Sequence, residues 1–74
     1  MNYSNPYENG TNLTYAYKAG SNDSYYGRGR RPHYYADGSK LFGAEITDLT
    51  EEEREAYYLG FNNNEALGDF KDWG

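Results

Sequence analysis

The chain has 74 residues, a net charge of −5, no cysteine and an apolar fraction of 36%. Seventy-four residues allow one small domain of marginal stability. The missing thiols exclude disulfides and thiolate metal sites, which fits a reducing compartment. No apolar run approaches membrane-spanning length, and the start Met1-Asn2-Tyr3-Ser4-Asn5-Pro6 has neither a basic region nor an apolar stretch. The expectation is a cytoplasmic protein without signal peptide or membrane anchor.

The large aliphatic residues are only Leu13, Leu41, Ile46, Leu49, Leu59 and Leu67, against ten Tyr, three Phe and one Trp. Any core must therefore be aromatic, and its hydroxyls need partners or water. Charge is unevenly spread: residues 1–27 carry net −1, residues 28–40 net +3 and residues 43–74 net −7. A short basic patch and an acidic C-terminal half can face different partners, or each other.

Residues 1–10 contain the turn dipeptides Asn5-Pro6 and Asn9-Gly10 and read as an extended lead-in. Thr11 or Asn12 can cap a short helix over 11–20, with Leu13, Ala16 and Tyr17 on one face and Gly20 as its stop. Residues 21–33 lack a helical period, contain Gly27, Gly29 and Pro32, and read as a basic loop. Next, His33-Tyr34-Tyr35-Ala36 and Ser39-Lys40-Leu41-Phe42 flank Asp37-Gly38, a two-residue hairpin signature spanning 33–42. Gly43 to Leu49 reads as a connector.

The clearest helix start lies at Thr50. Thr50 and Glu53 have the spacing of a capping box, and Glu51, Glu52 and Glu53 place negative charge at the positive end of the helix dipole. This spacing predicts a helix over 50–61, interrupted by Asn62-Asn63-Asn64, with a further helical turn from Glu65 placing Phe70 near Trp73. The fold class expected is mainly α, a single small domain of two short helices, becoming α+β if the intervening hairpin forms. Leu13, Tyr17, Tyr57, Leu59 and Phe61 are its expected buried residues.

An internal echo links the helices: Ala16-Tyr17-x-x-Gly20-x-Asn22 recurs forty residues later as Ala56-Tyr57-x-x-Gly60-x-Asn62. Either the two glycines let the helices approach closely, with the tyrosines against backbone, or Gly20 is a simple cap and the repeat is chance.

Asn5-Pro6-Tyr7, then Thr11-Asn12-Leu13, Ala16-Tyr17 and Gly20, resemble the pattern of ribosome modulation factor and its CrpP-like relatives. Glu55-Ala56-Tyr57 with Gly60-Phe61 looks like the family's other helix, in exchanged order. The resemblance covers about twenty-five residues by this residue matching. It implies a two-helix fold and a small accessory protein of a phage or mobile element. The family is strongly basic and binds ribosomal RNA, whereas this chain is acidic.

Two surfaces are candidates for function. Arg28, Arg30 and Arg31, with Tyr34 and Tyr35, could engage phosphates and stack on bases, which would make the chain an RNA- or ribosome-binding modulator. Against this stands a solvated loop that pairs with the chain's own acidic helix. Glu51, Glu52, Glu53 and Glu55, with Tyr57, Tyr58 and Trp73, form an acidic, tyrosine-rich face suited to a basic groove on a host protein, unless it is only a solvated helix face. His33 stands alone as a loop histidine, with no acid–base partner and no converging ligands at usable spacing. No cofactor or metal is implied. The expected function is a non-catalytic interaction protein, phage-like, that modulates a host nucleic-acid-handling complex; self-association is a second partner class.

Overall fold

A computed structural model of the chain describes residues 6–8, 10–36, 43–68 and 70–71. Helix α1 spans Asn12–Tyr25 and helix α2 spans Glu51–Leu67, with strands β1 (Tyr34–Tyr35) and β2 (Glu45–Ile46) between them in sequence. The fold is mainly α with a short antiparallel hairpin, as the sequence indicates.

Each helix begins on a threonine. The Thr11 side chain accepts from the Thr14 N–H at 3.3 Å and donates to the Glu8 carbonyl at 2.8 Å, while the Thr14 hydroxyl donates to the Tyr7 carbonyl at 3.2 Å. The lead-in is thereby tied to the first turn of α1, and the Tyr7 ring meets Tyr17 edge-on at 6.1 Å. In α2 the capping box is complete: the Glu53 N–H donates to the Thr50 hydroxyl at 3.2 Å and the Thr50 N–H to the Glu53 carboxylate at 2.9 Å. Replacing Thr50 by Ala removes the hydroxyl that accepts from the Glu53 N–H, while the residue 50 N–H can still donate to Glu53, and should cost about 1 kcal/mol. In a chain of this size that lowers Tm by about 4–8 °C, readable by circular dichroism. An unchanged melt would mean that the box contributes nothing.

Both helices outrun the expected limits. α1 continues through Gly20 to Tyr25, because Gly20 is the point where the helices cross and not a cap. A Cβ there would overlap the Tyr57 carbonyl oxygen and lie 2.9 Å from the Phe61 amide nitrogen; one on Gly60 would overlap the Tyr17 carbonyl oxygen. The contact is reciprocal, Gly20 on Tyr57 and Gly60 on Tyr17, so the repeat marks a two-fold-like helix pair. Ala16 and Ala56, its other small members, are both 0% exposed.

α2 passes through Asn62-Asn63-Asn64 because each asparagine finds a partner across the molecule. Asn63 donates to the Tyr17 hydroxyl at 2.9 Å, Asn64 donates to the Ser24 hydroxyl at 3.0 Å, and Asn62 accepts from Arg30 at 3.0 Å. These bonds offset the weak helix propensity of the triplet. Glu65 to Leu67 therefore belong to α2, which stops at Gly68 (φ 76°) in the left-handed region.

The hairpin forms with a different second strand. Tyr34 pairs with Ile46 and Tyr35 with Glu45, so β2 lies in the segment read as a connector; the expected second strand, 39–42, lies outside the described residues. Three contacts favour this register: the Ala36 N–H donates to the Ala44 carbonyl at 3.0 Å, Arg31 reaches Glu45, and Ile46 packs against the core. The Asp37-Gly38 turn falls outside the described residues.

The core consists of Ala16, Ala19, Tyr34, Leu49, Ala56, Tyr57 and Phe61. Tyr17 and Phe61 are each 4% exposed, in line with expectation, and Leu13 is partly buried. Leu59 is a correction: at 38% exposed it points outward, because the face of α2 turned to α1 is set by Ala56, Tyr57, Gly60, Phe61 and Asn64.

Candidate functional site

The basic loop leaves α1 by folding back over the helix end. Gly27 at φ 69° allows its N–H to reach the Ser24 carbonyl at 3.1 Å, and the Arg28 N–H donates to the Asp23 carbonyl at 2.8 Å. This brings the Arg28 guanidinium over the Tyr26 ring at 4.5 Å, and one of its nitrogens to 3.5 Å from the Asp23 carboxylate.

Beneath the loop lies a buried polar cluster. Asp23 and His33 are each 3% exposed and Tyr57 is 0% exposed. The Tyr57 hydroxyl donates to the Asp23 carboxylate and accepts from the Arg31 N–H at 2.8 Å. His33 Nδ1 lies 2.6 Å from the Arg31 carbonyl oxygen and 3.6 Å from the Asp23 carboxylate. Its ring meets Tyr35 edge-on at 5.4 Å and is tilted against Tyr57 at 5.8 Å. Burial first, then the hydrogen bond to Asp23, raises the Tyr57 phenol well above the ordinary tyrosine value.

The basic residues singled out from sequence do not converge on one free surface. Arg30 stacks over Phe61 at 4.4 Å and binds Asn62, whereas Arg28 is paired with Asp23. Arg31 forms a 2.8 Å ion pair with Glu45, which raises its pKa through the hydrogen bond and then the charge of that carboxylate. The three arginines therefore brace the fold, but against Asp23, Asn62 and Glu45 and not against Glu51 to Glu55. Tyr34 is not available for stacking. It is 7% exposed, and burial followed by the hydrogen bond to Glu53 lifts its phenol above the ordinary value. Tyr35 remains half-buried at the hairpin.

The acidic face is narrower than expected. Glu51, Glu52 and Glu55 are exposed, and Tyr58 is half-buried with its ring edge-on to Tyr57 at 5.6 Å. Two members leave the face. Glu53 is 8% exposed because it closes the capping box, and Tyr57 belongs to the core. Trp73 lies outside the described residues, and Phe70, its expected neighbour, is 49% exposed.

Sequence reading missed Asp23, and it left His33 as a loop histidine when the side chain is buried. A signal for Asp23 was present: Tyr17 to Asp23 has the same spacing as Tyr57 to Asn63, so the repeat extends one position beyond Asn22 and Asn62. Among the described residues no group of three or more His, Cys, Asp or Glu is placed to hold a metal ion, and no helix is long and apolar enough to cross a membrane. No family model, curated protein or solved structure matches the chain.

Proposed function

We propose that this chain is a non-catalytic interaction protein that docks the exposed carboxylates at the start of α2 onto a basic surface of a host nucleic-acid-handling complex, and so inhibits or modulates it. The observation that carries the reading is the distribution of committed and uncommitted charge. Arg28, Arg30 and Arg31 are exposed but each has a partner within the fold, whereas Glu51, Glu52 and Glu55 are exposed on one helix end beside Tyr58. Charge complementarity of this kind steers encounter and selects partners. The Asn-Pro-Tyr and Ala-Tyr-x-x-Gly resemblance supports an accessory protein of a phage or mobile element acting in the host cytoplasm.

The test is affinity capture from host lysate after nuclease treatment, comparing the chain with its Glu51→Lys, Glu52→Lys, Glu55→Lys triple variant. Glu53 stays unchanged, since altering it would also break the capping box. A protein partner retained after nuclease, released by salt and lost with the triple variant is the expected result. Retention that survives charge reversal removes the acidic face from the function. Retention that vanishes with nuclease, and with Arg28→Ala, Arg30→Ala and Arg31→Ala, supports RNA or ribosome binding in its place.

A further inference from the structure

The internal repeat gives a control for what each position must do for the fold. Tyr17 and Tyr57 are equivalent, and each hydroxyl meets the residue six positions further on in the opposite helix. Tyr17 meets the neutral Asn63 amide at 2.9 Å, whereas Tyr57 meets the Asp23 carboxylate. A neutral side chain suffices to hold the Tyr17 hydroxyl, by donating to it; Tyr57 instead donates, a need that the carbonyl oxygen of a neutral Asn would also meet. A carboxylate that is 3% exposed carries a desolvation cost the fold does not require. What the charge adds is a hold on two neighbours, Arg28 and His33.

Those neighbours line a cleft. Two hollows of about 90 and 170 Å³ share Asp23, Arg28, His33 and Tyr35. Tyr15, Lys18 and Asn22 of α1 border the first, and Gly29 and Arg31 the second. Each has room for a few water-sized groups but falls short of a pocket that would enclose a whole metabolite. His33 Nδ1 faces two acceptors, the Arg31 carbonyl and the Asp23 carboxylate, so Nδ1 carries the ring proton of the neutral imidazole. His33 lines both hollows, and Nε2 is the ring nitrogen that these two acceptors do not hold.

We infer that this cleft binds the phosphate group of a small phosphate monoester, with Lys18 and Arg28 on its oxygens and a protonated His33 donating from Nε2. The charges decide for a monoester. Arg31 is neutralised by Glu45. Lys18 and Arg28 exceed Asp23 by one charge, and a proton on His33 makes the excess two, which matches a monoester dianion and overmatches a diester. Asp23 then serves the imidazolium as counter-ion, the role a neutral Asn could not fill. The titratable groups facing His33 are Asp23, Lys18 and Tyr15 from α1, Tyr57 from α2, Arg28 and Arg31 from the loop, and Tyr35 from β1. Tyr35 lines both hollows and Tyr15 the first, so a ring attached to the phosphate would lie against them.

His33 is the single histidine of the chain, so its ring C–H resonances report on the site without assignment. The full chain is titrated at one fixed pH and constant ionic strength, with inorganic phosphate, a nucleoside 5′-monophosphate and a dinucleoside phosphodiester. The expected result is a saturable shift of His33 toward its imidazolium position with phosphate, and binding at least as tight with the monophosphate. Lys18→Gln and Arg28→Gln should each weaken this about tenfold, the usual effect of losing one charge-assisted hydrogen bond. Arg30→Gln, outside the cleft, should leave it unchanged. Asp23→Asn should abolish the shift; Lys18→Gln carries the test if that variant does not fold, since Lys18 is exposed. A shift that never saturates, saturation unaffected by Lys18→Gln, or a diester that binds as tightly as the monoester would each overturn the assignment. The last outcome would instead make the loop a nucleic-acid backbone site.

Discussion

Gly20→Ala should unfold most of the chain at room temperature. The added methyl has no space: it overlaps the Tyr57 carbonyl oxygen, and the Phe61 amide is 2.9 Å away. Both obstacles are helix backbone, so α1 and α2 must move apart as bodies. That separation strains the Asp23–Tyr57, Asn63–Tyr17 and Asn64–Ser24 hydrogen bonds together. Helix propensity favours the substitution by about 1 kcal/mol, overpacking costs about 1–3 kcal/mol, and each buried group left unpaired costs about 1–3 kcal/mol more. The net loss is several kcal/mol in a domain whose total stability is about 4–11 kcal/mol at the usual value per residue. Gly60→Ala should behave alike, by the reciprocal contact with Tyr17. Glu55→Ala, on the exposed side of α2, should leave the urea midpoint nearly unchanged. A Gly20→Ala protein as stable as the parent would disprove the close crossing.

Tyr57→Phe should be the next most damaging single change, at about 2–6 kcal/mol. It keeps the ring packing but leaves the Asp23 carboxylate without its phenolic donor and the Arg31 N–H without its acceptor, each loss costing about 1–3 kcal/mol. The same hydroxyl sets the alkaline limit of the fold. Its pKa in the folded chain is raised, by burial first and the Asp23 hydrogen bond second, and that of Tyr34 is raised by burial first and then by Glu53. In the unfolded chain both phenols ionise near pH 10. Below that value their contribution to stability is complete. Above it the unfolded chain sheds protons that the folded chain retains, so stability falls as pH rises. Urea midpoints should stay level from pH 7 to 9 and drop beyond 10. Tyr57→Phe should start lower and fall less steeply. Equal alkaline slopes in the two proteins would refute this role for Tyr57.

What could be read from the residues divides along the range of the forces involved. The start of α2 was legible because a capping box is a local device, with Thr50 and Glu53 three residues apart. The end of α1 was not. Gly20 has the same local meaning as a helix stop or as a crossing point, and only the position of Tyr57 separates the two. The asparagine triplet misleads for the same reason, since its partners Tyr17, Ser24 and Arg30 lie far away in sequence. In the hairpin, the register is held by the Arg31–Glu45 pair and by Ile46 against the core, contacts that the local turn signal at Asp37-Gly38 does not encode. The acidic face was partly legible: composition located the carboxylates but could not reveal that Glu53 and Tyr57 face inward. Asp23 and His33 come together only because the loop folds back at Gly27, and no short-range pattern encodes that meeting.

The reciprocal contact of Gly20 with Tyr57 and Gly60 with Tyr17 makes each helix a fair substitute for the other as a partner, so α1 can in principle pair with α1 of another copy. What favours pairing within one chain is the tether from Tyr25 to Glu51. A covalent link holds the two helices at an effective local concentration on the order of millimolar. Below that level the intramolecular pair prevails without any contact that discriminates between the halves. Cutting the tether would turn a folding equilibrium into a dilution-sensitive association, in which the products α1–α1, α2–α2 and α1–α2 compete. Their proportions would then be set by the side chains on which the two halves differ, Asp23 against Asn63 among them.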